Sequence, residues 1–407
     1  MTFLNIIATT KIEVKESLLF RWDTYGNQGF APMSKYGITF PNSAYTHVKH
    51  YATSGFEGIL AVRGVDNKWY IPTLEENLDR LLDTMKAMLM IKPTGLDAVL
   101  AEITKIFPSI VRAKPPEQIY LEVDKKTLRS AIMQTIEENV KAGYLDLNTE
   151  SGLIYVRPNF YRDHKLDADG HVIPGLGVAS LGHHNVLEIM VQNVPSYLAS
   201  APEEGSRVLV YEEKLHRMVS GLPPLLADIV IGFSNVGRKF KLGGNYAIGG
   251  IAKNLAQLLG FDEALLTDNK WNVLEGGGEN AFAFIDGKIY TPSLDEAILP
   301  GTKRSIVIEI ARKLGYDVIE DKLPLQKFID AEAAAFSGTW TGFEPIGEVN
   351  WYSKGSNSHY VKNHPVLNHI RTEYNYLLKN DKRLDPELGY LKSRITMLDL
   401  DAFRQAK

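Results

Sequence analysis

Apolar residues recur at helical spacing through LEENLDRLLDTMKAMLM, residues 74–90, and this periodicity predicts an amphipathic helix. GLDAVLAEITKIF (95–107) and KKTLRSAIMQTIEENVKAG (125–143) predict two more, separated by the breaker AKPPEQ. Before them, GFEGILAV (55–62) and KWYIP (68–72) form a hairpin pattern around GVDN. GLIYVRPNF (152–160) and VLEIMVQNV (186–194) read as strands, with a polar, glycine-rich loop between them. SAPEEGSR (200–207) is the linker candidate, and we place the domain boundary there: residues 1–199, a linker at 200–206, and residues 207–407. Further on, ADIVIGF (227–233) reads as a strand and AIGGIAKNLAQLLGF (247–261) as a helix. EALLTD and KWNVLEG read as a strand pair, AFAFIDGKIYTP (281–292) as a hairpin with Asp286-Gly287 in its turn, and TKRSIVIEIARKLGY (302–316) as a helix. Mixed elements with many hairpins predict two α/β or α+β domains rather than one doubly wound sheet.

Composition narrows the function. A chain of 407 residues with 44% hydrophobic positions can bury the cores of two domains. Its net charge of −4 lacks the basic excess that binds nucleic-acid phosphates or anionic lipid. The absence of cysteine removes disulfides, thiolate metal sites and cysteine nucleophiles together. The N-terminal MTFLNIIATTKIEVKESLLF shows no basic leader pattern. No apolar run approaches the roughly 20 residues that span a bilayer. We therefore expect a cytoplasmic protein with small-molecule substrates and neither a nucleic-acid nor a membrane partner.

The chemistry concentrates in four short segments. KLGGNY (241–246) sets a lysine before a tight turn and a helix. LEGGGENAF (274–282) follows, with Glu275 at a strand end and Glu279 in a glycine-rich turn. LPGTKR (299–304) leads into a helix start, and FSGTWTG (336–342) supplies a second Gly-Thr. An amine that forms a Schiff base, a carboxylate for a pyridine nitrogen and exposed amides for a phosphate are the needs of pyridoxal phosphate. Taken singly, each segment reads equally well as ordinary turn and cap structure.

In order and spacing, these segments resemble the fold-type IV pyridoxal-phosphate enzymes, and among them the branched-chain amino acid aminotransferases. SGFEG (54–58), NLDRL (77–81) and YVRP (155–158) extend the likeness into the N-terminal half. The resemblance implies a smaller N-terminal α/β domain and a larger C-terminal domain with a barrel-like core. It also implies pyridoxal phosphate as cofactor, amino acid and 2-oxo acid substrates, and a homodimer. On this reading Lys241 forms the internal aldimine and shuttles the α-proton, Glu275 pairs with the pyridinium nitrogen, and Tyr246 bonds the ring's 3′-oxygen. Amides of Thr302, Lys303, Gly338 and Thr339 cradle the phosphate, with the Thr339 hydroxyl. Phe56, Tyr155, Arg157, Trp340 and Thr341 fall on the substrate side; Arg157 either pairs with a carboxylate or holds the following loop by a salt bridge.

The departures from the family pattern point to a specialised substrate. Thr73 stands where an arginine usually contacts the phosphate, and Leu60 where the pocket has a second one. The Lys303 side chain either takes over the phosphate contact or faces solvent. Trp340 replaces a small residue, and an extra helix lies near 93–120. The loop 161–185 holds His164, His171, His183 and His184, which read as part of a polar lid in preference to a metal site. Besides transamination, lyase or biosynthetic chemistry on a non-proteinogenic substrate stays open, as does a binding protein that has lost catalysis. Intact Lys241, Tyr246 and Glu275 argue against the last.

Overall fold

The computed structural model describes residues 16–26, 28–34, 46–92, 96–106, 119–167, 169–173, 182–194, 205–212, 215, 239–361 and 363–400. The strand expected at 227–233, most of the 200–206 linker, and parts of the 93–120 and 161–185 segments lie outside them.

The N-terminal half builds an antiparallel sheet from β1 (Leu18–Asp23), β2 (Gln28–Pro32), β3 (Ser54–Phe56), β4 (Ile59–Arg63), β5 (Trp69–Pro72), β6 (Leu153–Arg162) and β9 (Asn185–Asn193). Two short strands, β7 (Lys165–Leu166) and β8 (Val172–Ile173), pair apart from it. After helix α1 (His47–Tyr51), the expected helices appear as α2 (Leu74–Ala87), α3 (Leu96–Ile106) and α4 (Lys125–Lys141). Leu74, Leu78, Leu81 and Met85 of α2 meet Leu128, Ile132 and Ile136 of α4 over Ile59, Ile71, Ile154 and Phe160 of the sheet. Because sheet side chains alternate and helical ones recur every three to four residues, both faces deliver their apolar positions to one core. An Asp124–Thr127 capping box starts α4.

The C-terminal half contains a closed barrel. Strands β13 (Asn280–Ile285), β17 (Ala333–Gly338), β18 (Gly342–Trp351), β10 (Ser206–Val210), β11 (Glu263–Thr267) and β12 (Asn272–Gly276) are neighbours in that order. The Glu275–Asn280 pair between β12 and β13 closes the ring. β14 (Lys288–Thr291), β15 (Val318–Glu320), β16 (Leu323–Pro324) and β19 (Ser356–His359) extend it. The β13–β14 hairpin turns at Asp286 and Gly287, both with positive φ (50° and 72°), as a tight Asp-Gly turn requires. Helices α5 (Tyr246–Leu258), α6 (Thr302–Lys313), α7 (Leu325–Ile329) and α8 (Pro365–Leu378) surround the barrel. The last strand, β20 (Ile395–Leu398), returns to pair with β5, tying the chain's end to the N-terminal sheet.

Candidate active site

Lys241 is locked between the two halves. Leu242 forms a β-bridge with Gly55, the Phe56 amide donates to the Lys241 carbonyl at 3.2 Å, and the Lys241 amide donates to Thr84 Oγ1 at 3.3 Å. Gly243–Asn245 then make one 3₁₀ turn, and Tyr246 begins α5. The five-residue spacing folds the two side chains together: Lys241 Nζ donates to Tyr246 Oη at 2.7 Å. A Cβ at Gly249 would collide with the Gly277 carbonyl oxygen, so glycine is what lets α5 press against the glycine-rich turn.

Burial pushes the Lys241 amine down to about 8; Arg80 and Arg157 add to this, while Glu57 and Glu275 oppose it. Tyr246 is pushed up by burial and by Glu275, so its hydroxyl keeps its proton. Glu57 is fully buried, and burial alone would raise its carboxyl. Arg80, whose Nε and Nη2 donate to it at 2.6 and 2.8 Å, Lys241 and Asn77 outweigh that and hold it below its ordinary value. After burial, Glu57 and Arg80 are the strongest charges acting on the lysine, and they act in opposite directions. Sequence reasoning assigned them no role, although FEG and NLDRL both carried the resemblance.

Glu275 lies at the closing strand pair, where its Oε2 accepts from the Leu299 amide at 3.0 Å. With Tyr246, Gly277, Gly278, Asn280 and Leu299 it lines a cavity of about 40 Å³. Beyond Leu299, Gly301 precedes α6 without a side-chain cap, and the first turn carries no acidic residue. Two buried hydroxyls near these turns, Thr302 Oγ1 and Ser337 Oγ, have no hydrogen-bond partner among the described residues. Gly338 ends β17, and Thr341 donates to Glu279 Oε1 at 3.1 Å, tying the second Gly-Thr turn to the glycine-rich one. Lys303 does not face solvent: its Nζ donates to Thr73 Oγ1 at 3.0 Å and to the Pro72 carbonyl at 3.1 Å. Thr339, Trp340, Thr341 and Lys303 line a second cavity of about 320 Å³, together with Leu60 and Arg63.

The aromatic residues converge on one wall. The Arg157 guanidinium stacks 4.4 Å from the Phe56 ring centre, and its Nη2 donates to Tyr155 Oη at 2.5 Å. Phe56 touches Tyr246 (ring centres 4.8 Å apart), and Tyr155 touches Trp340 (5.1 Å). Among the described residues Arg157 forms no ion pair; its guanidinium lies over the rings of Phe56 and Tyr155. Two of the four loop histidines, His164 and His184, meet at the Tyr25 ring, and the four do not form one cluster among the described residues. His183 is buried beside His47, His184 stacks on Tyr25, His164 contacts Asp163, and His171 is exposed on the β7–β8 hairpin.

Residues 171–349 match the family model of class IV amino-transferases. A probable branched-chain-amino-acid aminotransferase of Staphylococcus aureus is 26% identical over 310 residues, covering 74% of this chain and 70% of that protein. A putative branched-chain-amino-acid aminotransferase of Methanocaldococcus jannaschii is 36% identical over 106 residues, 26% of this chain and 37% of its own length. The match to a probable branched-chain-amino-acid aminotransferase of Staphylococcus epidermidis spans 62% of that relative's length. Among solved structures, a branched-chain aminotransferase of Thermoproteus uzoniensis crystallised with norvaline shares the fold, with a TM-score of 0.65 at 20% identity over 94% of this chain and 99% of that one. A branched-chain amino acid aminotransferase of Thermobaculum terrenum in its PLP form aligns with a TM-score of 0.65 at 18% identity over 95% and 99%. The family resemblance and the mixed, barrel-containing fold expected from the sequence are borne out.

Proposed function

We propose that this chain, a divergent member of the class IV aminotransferases, is a pyridoxal-phosphate-dependent aminotransferase moving an amino group between an amino acid and a 2-oxo acid. The observation that carries the proposal is the buried Lys241 amine, depressed to about 8 and 2.7 Å from Tyr246 Oη, which shares a cavity at the barrel's closing strands with Glu275. The residues fit the cofactor's chemistry. Lys241 would hold its aldehyde carbon, Tyr246 its ring oxygen, and Glu275 its ring nitrogen. The α6 amides at Thr302 and Lys303, with Gly338 and Thr339, would hold its phosphate; the unpartnered Thr302 and Ser337 hydroxyls support such a ligand there. Bound in this way, the cofactor supplies an amino-accepting carbon and an electron-withdrawing ring.

The remaining work falls to the protein. Lys241, largely neutral above about pH 8, takes and returns the substrate α-proton at Nζ. Tyr246 stays protonated and so donates. Arg157, stacked on Phe56 and bonded to Tyr155, would receive a substrate carboxylate, while Phe56 and Trp340 present apolar surface to the side chain. The working unit on this reading is a cytoplasmic homodimer, and sedimentation of the purified chain tests the dimer. No helix among the described residues is long and apolar enough to cross a membrane.

The test is direct. The purified chain loaded with pyridoxal phosphate is mixed with a panel of amino acids and one 2-oxo acid acceptor. A donor that shifts the visible spectrum and yields its own 2-oxo acid supports the proposal. Release of ammonia or carbon dioxide without amino transfer would favour the lyase reading, which Trp340 at the substrate wall keeps in play. No response to any donor refutes both.

A further inference from the structure

We propose that the Lys303 amine is the side-chain cation of the phosphate subsite, reaching it from the first turn of α6 while Thr73 and Pro72 of the N-terminal half position it. The inference rests on the cofactor reading above. Lys303 is only 3% exposed, and its two hydrogen-bond acceptors, Thr73 Oγ1 and the Pro72 carbonyl, are both neutral. Among the described residues no carboxylate is paired with it. An ammonium donates three hydrogen bonds, so one N–H is left over, and a buried charge without a counter-ion is costly. Burial accordingly drives the amine down to about 7; Arg394 and Arg80 lower it too, against Glu76 and Glu57. An anion in reach would reverse that penalty.

Three further features point the vacant N–H toward such an anion. Lys303 lines the same cavity as Thr339 of the second Gly-Thr turn. The adjacent Thr302 hydroxyl is buried without a partner among the described residues. The α6 N-terminus, with no capping side chain and no acidic residue, adds first-turn amides and the positive end of the helix dipole. Thr73 is shaped for its part. It holds a left-handed backbone (φ 60°) fixed by its amide to the Arg394 carbonyl at 2.8 Å, and its hydroxyl also reaches Asn77 Oδ1 at 3.0 Å, whose amide group serves Glu57. A long cationic side chain at position 73 would occupy the lysine's seat and repel it. Cation and hydroxyl therefore occupy the two positions as a matched pair, and neither substitution is neutral alone.

The test uses full-length protein stripped of cofactor, titrated by intrinsic fluorescence with pyridoxal phosphate and, separately, with pyridoxal lacking the phosphate. Lys303→Met keeps the volume and removes the charge. It should weaken pyridoxal phosphate binding by about 10- to 100-fold, the range of a charge-assisted hydrogen bond, and leave pyridoxal binding unchanged. Its melting temperature without ligand should equal or exceed wild type, because an unpaired buried amine is gone. Thr73→Arg alone should also weaken binding, and Thr73→Arg with Lys303→Thr should recover most of the loss. Equal losses for both probes would assign Lys303 a structural role and overturn the inference, as would wild-type binding in Lys303→Met or additive losses in the double variant. If wild-type protein binds neither probe, the cofactor reading itself fails.

Discussion

Glu57→Gln isolates the electrostatic support of Lys241, because it keeps the side-chain shape and removes one charge between two buried cations. In the native protein the Glu57 carboxylate accepts from Arg80 Nε and Nη2 at 2.6 and 2.8 Å and from Asn77 Nδ2 at 2.8 Å, and it is fully buried. Without that charge, the Arg80 guanidinium keeps the neutral Pro300 carbonyl at 2.8 Å as an acceptor. Removing one member of a buried pair typically costs about 3–5 kcal/mol, since the other charge stays desolvated. We take roughly 3 kcal/mol here, because glutamine still accepts one hydrogen bond. The same loss removes the strongest influence that opposes the depression of Lys241 below its ordinary value, so the amine should fall further from about 8. Two assays follow: urea unfolding for stability, and the rate of pyridoxal phosphate capture by the stripped protein against pH. Capture needs a neutral amine, so the rate rises with pH and levels off above about 8 in wild type; the inflection should move to lower pH in the variant. Glu57 has a lowered folded value, so its contribution to stability is present above the ordinary carboxyl range and is lost as pH falls through that lowered value. Unchanged urea midpoint and unchanged inflection together would refute the reasoning.

Lys241→Ala should abolish amino transfer and the visible absorbance of bound cofactor while leaving the far-ultraviolet circular dichroism intact; activity that persists removes the central assignment. Glu275→Gln should retain cofactor but slow α-proton exchange by at least about tenfold, measured by loss of deuterium from an α-deuterated donor. Trp340→Ala, which removes the wall against Tyr155, should change the ranking of donors by about tenfold in favour of bulkier side chains, the usual worth of pocket shape. A competition assay with two donors reads this ratio, and an unchanged ranking places Trp340 off the substrate path.

The reach of the sequence follows the range of the interactions involved. Lys241 and Tyr246 are five residues apart across one 3₁₀ turn, so their contact is visible in KLGGNY itself. Asp286-Gly287 specifies its hairpin because two consecutive positive φ angles are a local demand, and Asp124 with Thr127 marks the start of α4 in the same way. The helices at 74–87, 125–141 and 302–313 were legible because each buries one periodic face. Other features depended on residues that only folding brings together. Whether Lys303 faces solvent or the site was open from the sequence; its amine turned inward because its acceptors lie 230 and 231 residues away, across the contact between the two halves. Arg157 finds the ring of Phe56, about one hundred residues earlier in the chain and on a different strand, a contact that no local spacing encodes. Glu57 gained its importance from Arg80 and Lys241, and Glu275 its place at the barrel's closing pair, through backbone pairing that no local spacing encodes. Side-chain identity and short-range geometry are written residue by residue, whereas the direction of a long flexible cation is chosen by whichever distant acceptors the packed halves set within about 3 Å of it.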